Sequence, residues 1–342
     1  MYSKAPVTQP KHALPLLLAL SALLGACGKQ ADDTPVIGLV TKTETNPFFV
    51  KMKEGAEQAA SANRVTLLAG AGRSDGDNAG QVATIENHIA AGARVILISP
   101  SDAKAIVPTI AKVRASGVMV IALDSPTDPV DATDGFFGSD NYRAGELIGA
   151  YAKARLNGRA PRIVTIDLLP GHPTGAQRHN GFLQGMGLAT NPRTSNETAS
   201  PEQVVCMGDS IGDQAKAQTV MENCLQTATD INVVYAINEP SAAGAYNALV
   251  KAGRDKSVLL VTVDGGCRGV ADVAAGHFAA TAQQYPIRMA ELGVQAAVEF
   301  FRSGKKPSGF TDTGVALVTG EKVPGVQSLS PAEGAARCWG TQ

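Results

Sequence analysis

The sequence predicts an α/β protein of two doubly wound lobes, each a parallel β-sheet with helices on both faces. Three observations carry that prediction. One unit, a short apolar run, a polar loop and an amphipathic stretch, repeats along most of the chain, and this alternation builds parallel sheets. The apolar runs are continuous, as in Val36-Ile37-Gly38-Leu39-Val40, which marks strands buried on both faces. About 300 residues remain once an N-terminal leader is set aside, a length that favours two domains over one.

The leader comes first. Lys4 and Lys11 form a positive n-region, and Leu14 to Leu24 is an apolar stretch of signal-peptide length. It is shorter than the roughly 20 apolar residues that a spanning helix needs. Leu24-Gly25-Ala26-Cys27 looks like a bacterial lipobox, so residues 1–27 read as a lipoprotein signal with Cys27 carrying lipid. Residues 28–34, GKQADDT, form a polar tether. The alternative is a soluble secreted protein cut after a nearby small residue. Either way the chain is exported to the periplasm or cell envelope.

The first lobe then reads as strand Val36–Val40, helix Pro47–Asn63, strand Val65–Leu68 and a turn-rich GAGRSDGDN before helix Ala79–Ala91. Strand Arg94–Ser99, helix Ala103–Ser116 and strand Val118–Asp124 follow. A second series starts at Phe136–Ser139 and helix Tyr142–Asn157. It continues with strands near Arg162–Leu168, Val204–Met207, Val233–Ile237, Val258–Val263 and Ala279–Gln283. Helices near Gly175–Gly187, Gly212–Gln226, Ser241–Lys251 and Gly269–Gly276 separate them, and Ile287–Ser303 is the last long one. Ala189–Gln203, rich in Asn, Thr, Ser and Pro, reads as a surface insertion.

Composition removes several function classes. A net charge of −1 gives no electrostatic case for nucleic acid. The first strand-to-helix turn is TKTETNP, not G-x-G-x-x-G, and no G-x-x-x-x-G-K-[ST] occurs. No cofactor is expected. With Cys27 assigned to lipid, four cysteines remain, an even number that in an oxidising compartment points to two disulfides. Of three pairings, Cys206–Cys224 joins a strand end to the next helix, and Cys267–Cys338 ties the C-terminal tail to a late loop. No pair has C-x-x-C spacing, so a zinc site is not expected.

The candidate site residues follow the strand ends, where ligands sit in open α/β sheets. After the first strand come Lys42, Asn46, Phe48 and Phe49. Aromatic rings cover the apolar C–H face of a sugar while amides and charges bond its hydroxyls; the alternative is that both phenylalanines are helix core. Further strand ends carry Ser99-Pro100-Ser101-Asp102, Asp124, Gly171-His172-Pro173 with Arg178 beyond, Asn238-Glu239, Asp264 and Gln284. Ser101, Asp102 and Ser241 read as helix caps. The converging set suits a neutral polyhydroxyl ligand, since carboxylates accept from hydroxyl pairs and an Arg fork donates to neighbouring oxygens.

In order along the chain, TNPFF (Thr45–Phe49), ISPSD (Ile98–Asp102), ALDSP (Ala122–Pro126), GSDN (Gly138–Asn141), AQRHNGF (Ala176–Phe182), INEPSAAGA (Ile237–Ala245), VDGG (Val263–Gly266) and QQYP (Gln283–Pro286) make the chain resemble the ribose-type periplasmic sugar-binding proteins. These are the solute receptors of ABC importers, with the type I periplasmic binding protein fold. The resemblance is closest to members that bind fructose, and spans roughly residues 35–320. It implies Asn46, Phe48, Phe49, Ser99 and Asp124 on the sugar from one lobe, and Arg178, Asn238, Asp264 and Gln284 from the other. The lobes would be 35–139 plus 285–313 and 140–284 plus 314–342, joined by three hinge strands near Ser139, Gln284 and Gly314.

The chain also departs from that family. Ser125 stands where ribose receptors carry Arg, and Ile211-Gly212 where they carry an aromatic. Both departures argue against ribose itself; Lys42 would compensate for the missing Arg, and Glu44 or Glu239 would add acceptors. The resemblance implies a monomeric, non-enzymatic receptor that closes over a monosaccharide, fructose in the first instance, and hands it to a membrane permease. Another sugar or polyol received mainly for sensing is the alternative. A glycosidase using Asp124 and Asp264 is the enzymatic rival, and a repressor of the same architecture would need a DNA-binding domain where the leader stands.

Overall fold

The computed structural model describes residues 1–7 and 34–340. Cys27, the apolar part of the leader and the tether through residue 33 lie outside the described residues. No described helix is long and apolar enough to cross a membrane.

The chain first lays down β1 (Val36–Thr41), α1 (Pro47–Asn63), β2 (Thr66–Ala71), α2 (Asn78–Ala90), β3 (Val95–Ile98), α3 (Val107–Ala115), β4 (Met119–Leu123) and β5 (Gly135–Gly138). It then builds α4 (Asn141–Leu156), β6 (Ile163–Asp167), α5 (Pro173–Met186), β7 (Val204–Asp209), α6 (Gln214–Thr227), β8 (Val233–Ala236), α7 (Glu239–Lys251), β9 (Leu259–Asp264), α8 (Cys267–Ala274) and β10 (Ala280–Gln283). Last come α9 (Pro286–Ser303), β11 (Phe310–Asp312), β12 (Ala316–Thr319) and α10 (Pro331–Ala335). The strands form two six-stranded sheets, β11-β5-β4-β3-β1-β2 and β12-β10-β9-β8-β6-β7. Every paired neighbour is parallel except β10 with β12. Position for position, β4 in the first sheet corresponds to β9 in the second.

Continuous apolar strands do what the sequence predicts: successive side chains enter cores on opposite faces. Ile37, Leu39, Val95 and Leu97 pack with α1 and α9, whereas Val40, Ile96 and Ile98 pack with α2 and α3. In the second lobe Val234 and Ala236 join the core under α6 and α7, while Val233 and Tyr235 join the one under α4 and α5. Helices α4 and α5 meet at backbone distance through Gly145, Gly149, Gly181 and Gly185, where any Cβ would strike the facing main chain.

The chain passes between the sheets at Ser139–Asp140, Gln284–Tyr285 and Thr313–Val315. These three connecting segments lie where the sequence places the hinge, near Ser139, Gln284 and Gly314. Ser139 Oγ donates to Gly314 O (3.1 Å), and Asp312 Oδ1 accepts from Gly314 N (2.8 Å) and Asp140 N (3.2 Å), so two crossings are tied together.

Other boundaries also shift for identifiable reasons. Strand β2 runs past Leu68 to Ala71 because β1 keeps pairing with it through Thr41. Helix α3 starts at Val107, not Ala103, because Asp102 Oδ1 caps a separate turn by accepting from Lys104 N and Ala105 N. Helix α6 starts at Gln214 behind the N-cap Asp213. Ser241 is not a cap; Asn238 takes that place for α7. Ser101 Oγ has no partner. Both expected disulfides, Cys206–Cys224 and Cys267–Cys338, are present.

Candidate functional site

The ends of β1, β2, β4, β6, β8, β9 and β10, with the first turns of α5, surround a cavity of about 30 Å³. Beside it opens a groove of about 1070 Å³. Asn46, Asp75 and Asp264 line both, so they mark the mouth between them. The small cavity carries the polar chemistry; the larger groove is its entrance.

In the first lobe the aromatic pair is placed by the start of α1. Asn46 is the N-cap, its Oδ1 accepting from Phe48 N at 3.0 Å, and Pro47 occupies the first helical turn. Phe48 and Phe49 meet edge to face at 5.3 Å. Both belong to the core under α1 and both line the cavity, so the two readings of these rings hold together. Lys42 is buried with Nζ 4.0 Å from Asp124 Oδ2 and 5.9 Å from the Phe49 ring centre. Asp124 follows β4 at φ +63°, a conformation costly to a non-glycine residue and met at functional sites. Its Oδ2 accepts from Ser99 Oγ (3.2 Å) and Ser125 Oγ (2.9 Å). These serines hold Asp124 from behind and do not line the cavity. Thr174 Oγ1 on the second lobe donates to Ser125 Oγ at 3.2 Å, bridging the cleft.

In the second lobe the polar groups are fixed by one another. Arg178 donates from Nε to Asn141 Oδ1 (2.7 Å) and from Nη1 to Ile237 O (3.0 Å), and Nη1 lies 3.9 Å from Asp264 Oδ1. Asp264 ends β9 at φ +137°. Its Oδ1 accepts from Gln284 Nε2 (2.8 Å) and its Oδ2 from Glu239 N (3.2 Å). Burial pushes the Asp264 carboxyl up to about 6, against the pull of Arg178. Asn238 both caps α7, accepting from Ser241 N (3.0 Å), and lines the cavity; its Nδ2 donates to Gly212 O (3.3 Å).

Two expected acceptors, Glu44 and Glu239, do not line the small cavity. Glu44 is exposed and does not line the cavity. Glu239 is occupied with Gly265 N (2.8 Å) and Gly266 N (3.2 Å), shaping the loop that presents Asp264. Burial, and then the neighbouring Asp264, push its carboxyl well up.

Two residues with no place in the sequence expectations also belong here. Asp75, in the turn after β2, lines the cavity with Oδ1 buried and unpartnered; Gln284 Oε1 is likewise buried without a partner. Trp339, in the tail, stands behind the site. Its ring meets Phe48 edge to face at 5.5 Å, and its Nε1 donates to Gln284 O at 2.8 Å. Its carbonyl accepts from Cys267 N at 2.9 Å, next to the Cys267–Cys338 bridge. The only local signal was the adjacent Cys338. His172, at the start of α5, is buried with neither ring nitrogen bonded, and burial with nearby Lys42 holds it well below its usual range.

Among the described residues, no cluster of three or more His, Cys, Asp or Glu side chains could hold a metal ion. What the arrangement offers is recognition: fixed donors and acceptors on both sides of a cleft with two rings as a floor.

Comparison with known proteins agrees with that chemistry. The ribose import binding protein of Bacillus subtilis is 29% identical over 310 residues, covering 86% of this chain and 95% of the relative. The D-ribose/D-allose-binding protein of Pseudomonas aeruginosa is 28% identical over 307 residues, covering 86% and 92%. The crystal structure of a periplasmic component of an ABC-type sugar transport system from Hahella chejuensis superposes with a TM-score of 0.73 at 30% identity, covering 83% and 99%. Residues 37–306 match the periplasmic binding protein domain, and the chain belongs to that family.

Proposed function

We propose that this chain captures a neutral monosaccharide, fructose in the first instance, between its lobes and delivers it to the permease of an ABC importer. The observation that carries the reading is the composition of the small cavity: Asp124, Asp264, Arg178, Asn238 and Gln284 together with Phe48 and Phe49. Carboxylates and an Arg fork satisfy vicinal hydroxyls, and the rings take the C–H face. The names of the matched relatives, all import or binding proteins for sugars, support it. Lys42 beside Asp124 supports a ligand other than ribose, because it brings a cation to the side of the site where Ser125 provides none.

Closure would occur about the three crossings near Ser139, Gln284 and Gly314, with lobes at 35–139 plus 285–313 and 140–284 plus 314–342. Only the closed form would present both lobes to the permease. The protein would be exported, with Cys27 lipidated; Cys27→Ser should then move it from the membrane fraction to the soluble fraction. The function is tested by calorimetric titration of the mature protein with D-fructose, D-ribose, D-glucose, D-galactose, D-allose and myo-inositol. Micromolar or tighter binding of at least one, about −8 kcal/mol, is expected. Binding to none of them sinks the reading; tight binding of ribose alone sinks only the choice of fructose.

A further inference from the structure

We infer that Asp75 is a specificity-determining residue of this site, accepting hydrogen bonds from a hydroxyl or hydroxymethyl group that projects from a six-carbon sugar or polyol toward the groove. The inference rests on the sugar-receptor reading and deepens it.

Four observations carry it. Asp75 Oδ1 is buried without a partner, and a buried carboxylate oxygen left unpaired is costly. Asp75 lines the small cavity and the groove alike, so it stands at the mouth and not at the floor. A six-carbon pyranose seated in the cavity would carry an exocyclic group able to reach this mouth; a pentopyranose has none.

The opposite wall is cut back to admit this carboxylate. A Cβ on Gly212 would come within 2.7 Å of Asp75 Oδ2 and 2.9 Å of Asn238 Nδ2. Ile211 and Gly212 both adopt positive φ, +48° and +74°, so the loop between β7 and α6 curls at this point. Any larger side chain at 212 would displace Asp75. Finally, the acid of that facing loop, Asp213, is committed: it caps α6, accepting from Lys216 N at 2.9 Å. Asp75 is thus the acceptor left for a ligand there, with Lys42 as its nearby cation.

A carboxylate in this place could instead serve only to latch the lobes together across Gly212. A latch would strengthen every ligand equally, whereas a ligand contact acts only on ligands carrying the group it reads. The test is calorimetric titration of wild type, Asp75→Asn and Asp75→Ala with D-ribose and with the tightest-binding six-carbon ligand of the panel above. Thermal melts confirm that each variant folds, and the near-isosteric Asn variant serves if Ala does not. The expected result is a loss of about tenfold or more for the six-carbon ligand, with ribose affinity changed less than about twofold, so that the selectivity ratio collapses. Equal losses for both ligands, or none, overturn the inference and leave the receptor reading intact. So does a wild-type protein that binds ribose more tightly than every six-carbon ligand. A wild-type protein that binds no sugar overturns both.

Discussion

Asp124 and Asp264 occupy corresponding places in the two lobes, at the ends of β4 and β9, and both carry positive φ. Their surroundings differ. Asp124 is held by two serine hydroxyls, with Lys42 at 4.0 Å. Asp264 is held by an amide and a backbone N–H, with the Arg178 fork at 3.9 Å, and its loop is braced by Glu239. Lobe one places its acid beside rings that belong to a hydrophobic core, so its half of the site is built by packing. Lobe two places its acid in a polar network with few free orientations, so its half is built by hydrogen bonds. One fold used twice thus gives an apolar, adaptable wall and a rigid, directional one.

Breaking the directional wall should have the largest effect. Arg178→Ala removes the donor shared by Asn141, Ile237 O and Asp264, leaving buried acceptors unpaired. The expected loss of sugar affinity is about 3 kcal/mol, read by calorimetry. Arg178→Lys should recover little of it, because an ammonium cannot reproduce the fork. Unchanged affinity in the Ala variant removes Arg178 from the site.

The packed wall is tested through Trp339, the sole tryptophan of the chain. Trp339→Ala takes away the edge contact to Phe48 and the donor to Gln284 O. A loss of about 2 kcal/mol in affinity is expected, together with a lower melting temperature. Trp339→Phe should fall between, since it restores packing without the N–H. Because Trp339 touches both Phe48 and Gln284, its emission in the wild type should shift on sugar addition. Variants that bind and melt like wild type would show that the tail merely covers the site.

How far the sequence disclosed this site follows from what each residue depends on. Strand ends are legible because continuous apolar runs stop abruptly, so Asp124, Asp264, Asn238 and Gln284 could be located from local pattern alone. The phenylalanines were legible as a pair behind a helix-starting Pro47. Asp75 was not, because β2 continues past Leu68 and its turn reads as an ordinary polar loop; only the approach of Gly212 from the other lobe gives it a role. Trp339 depends on a bridge spanning 71 residues, and no local pattern carries such a contact. Ser99 and Ser125 had the right neighbourhood, but whether a side chain faces a ligand or backs another side chain is a matter of tertiary geometry.

The smallest expected effect separates the two acids by their titration. The Asp264 carboxyl is raised to about 6 by burial, so its protonated form predominates only below about pH 6. For an acid raised in the folded state, the stability contribution is fully present below its ordinary value of 3.8 and is lost as pH rises through about 6. Stability without sugar should therefore decline between about pH 4 and 6.5 by this group's share. Affinity should run the other way. Sugar hydroxyls donate to the ionised carboxylate, so binding favours the charged form and should weaken about tenfold from pH 7 to pH 5. Asp75 and Glu239 are also raised by burial and His172 is lowered, so wild type alone cannot isolate the effect. Asp264→Asn supplies the isolation: its affinity should be lower throughout and flatter with pH, and its stability should lose the decline. If the Asn variant keeps both slopes, the titrating group is elsewhere in the cleft, and the rigid wall owes its selectivity to geometry rather than to charge.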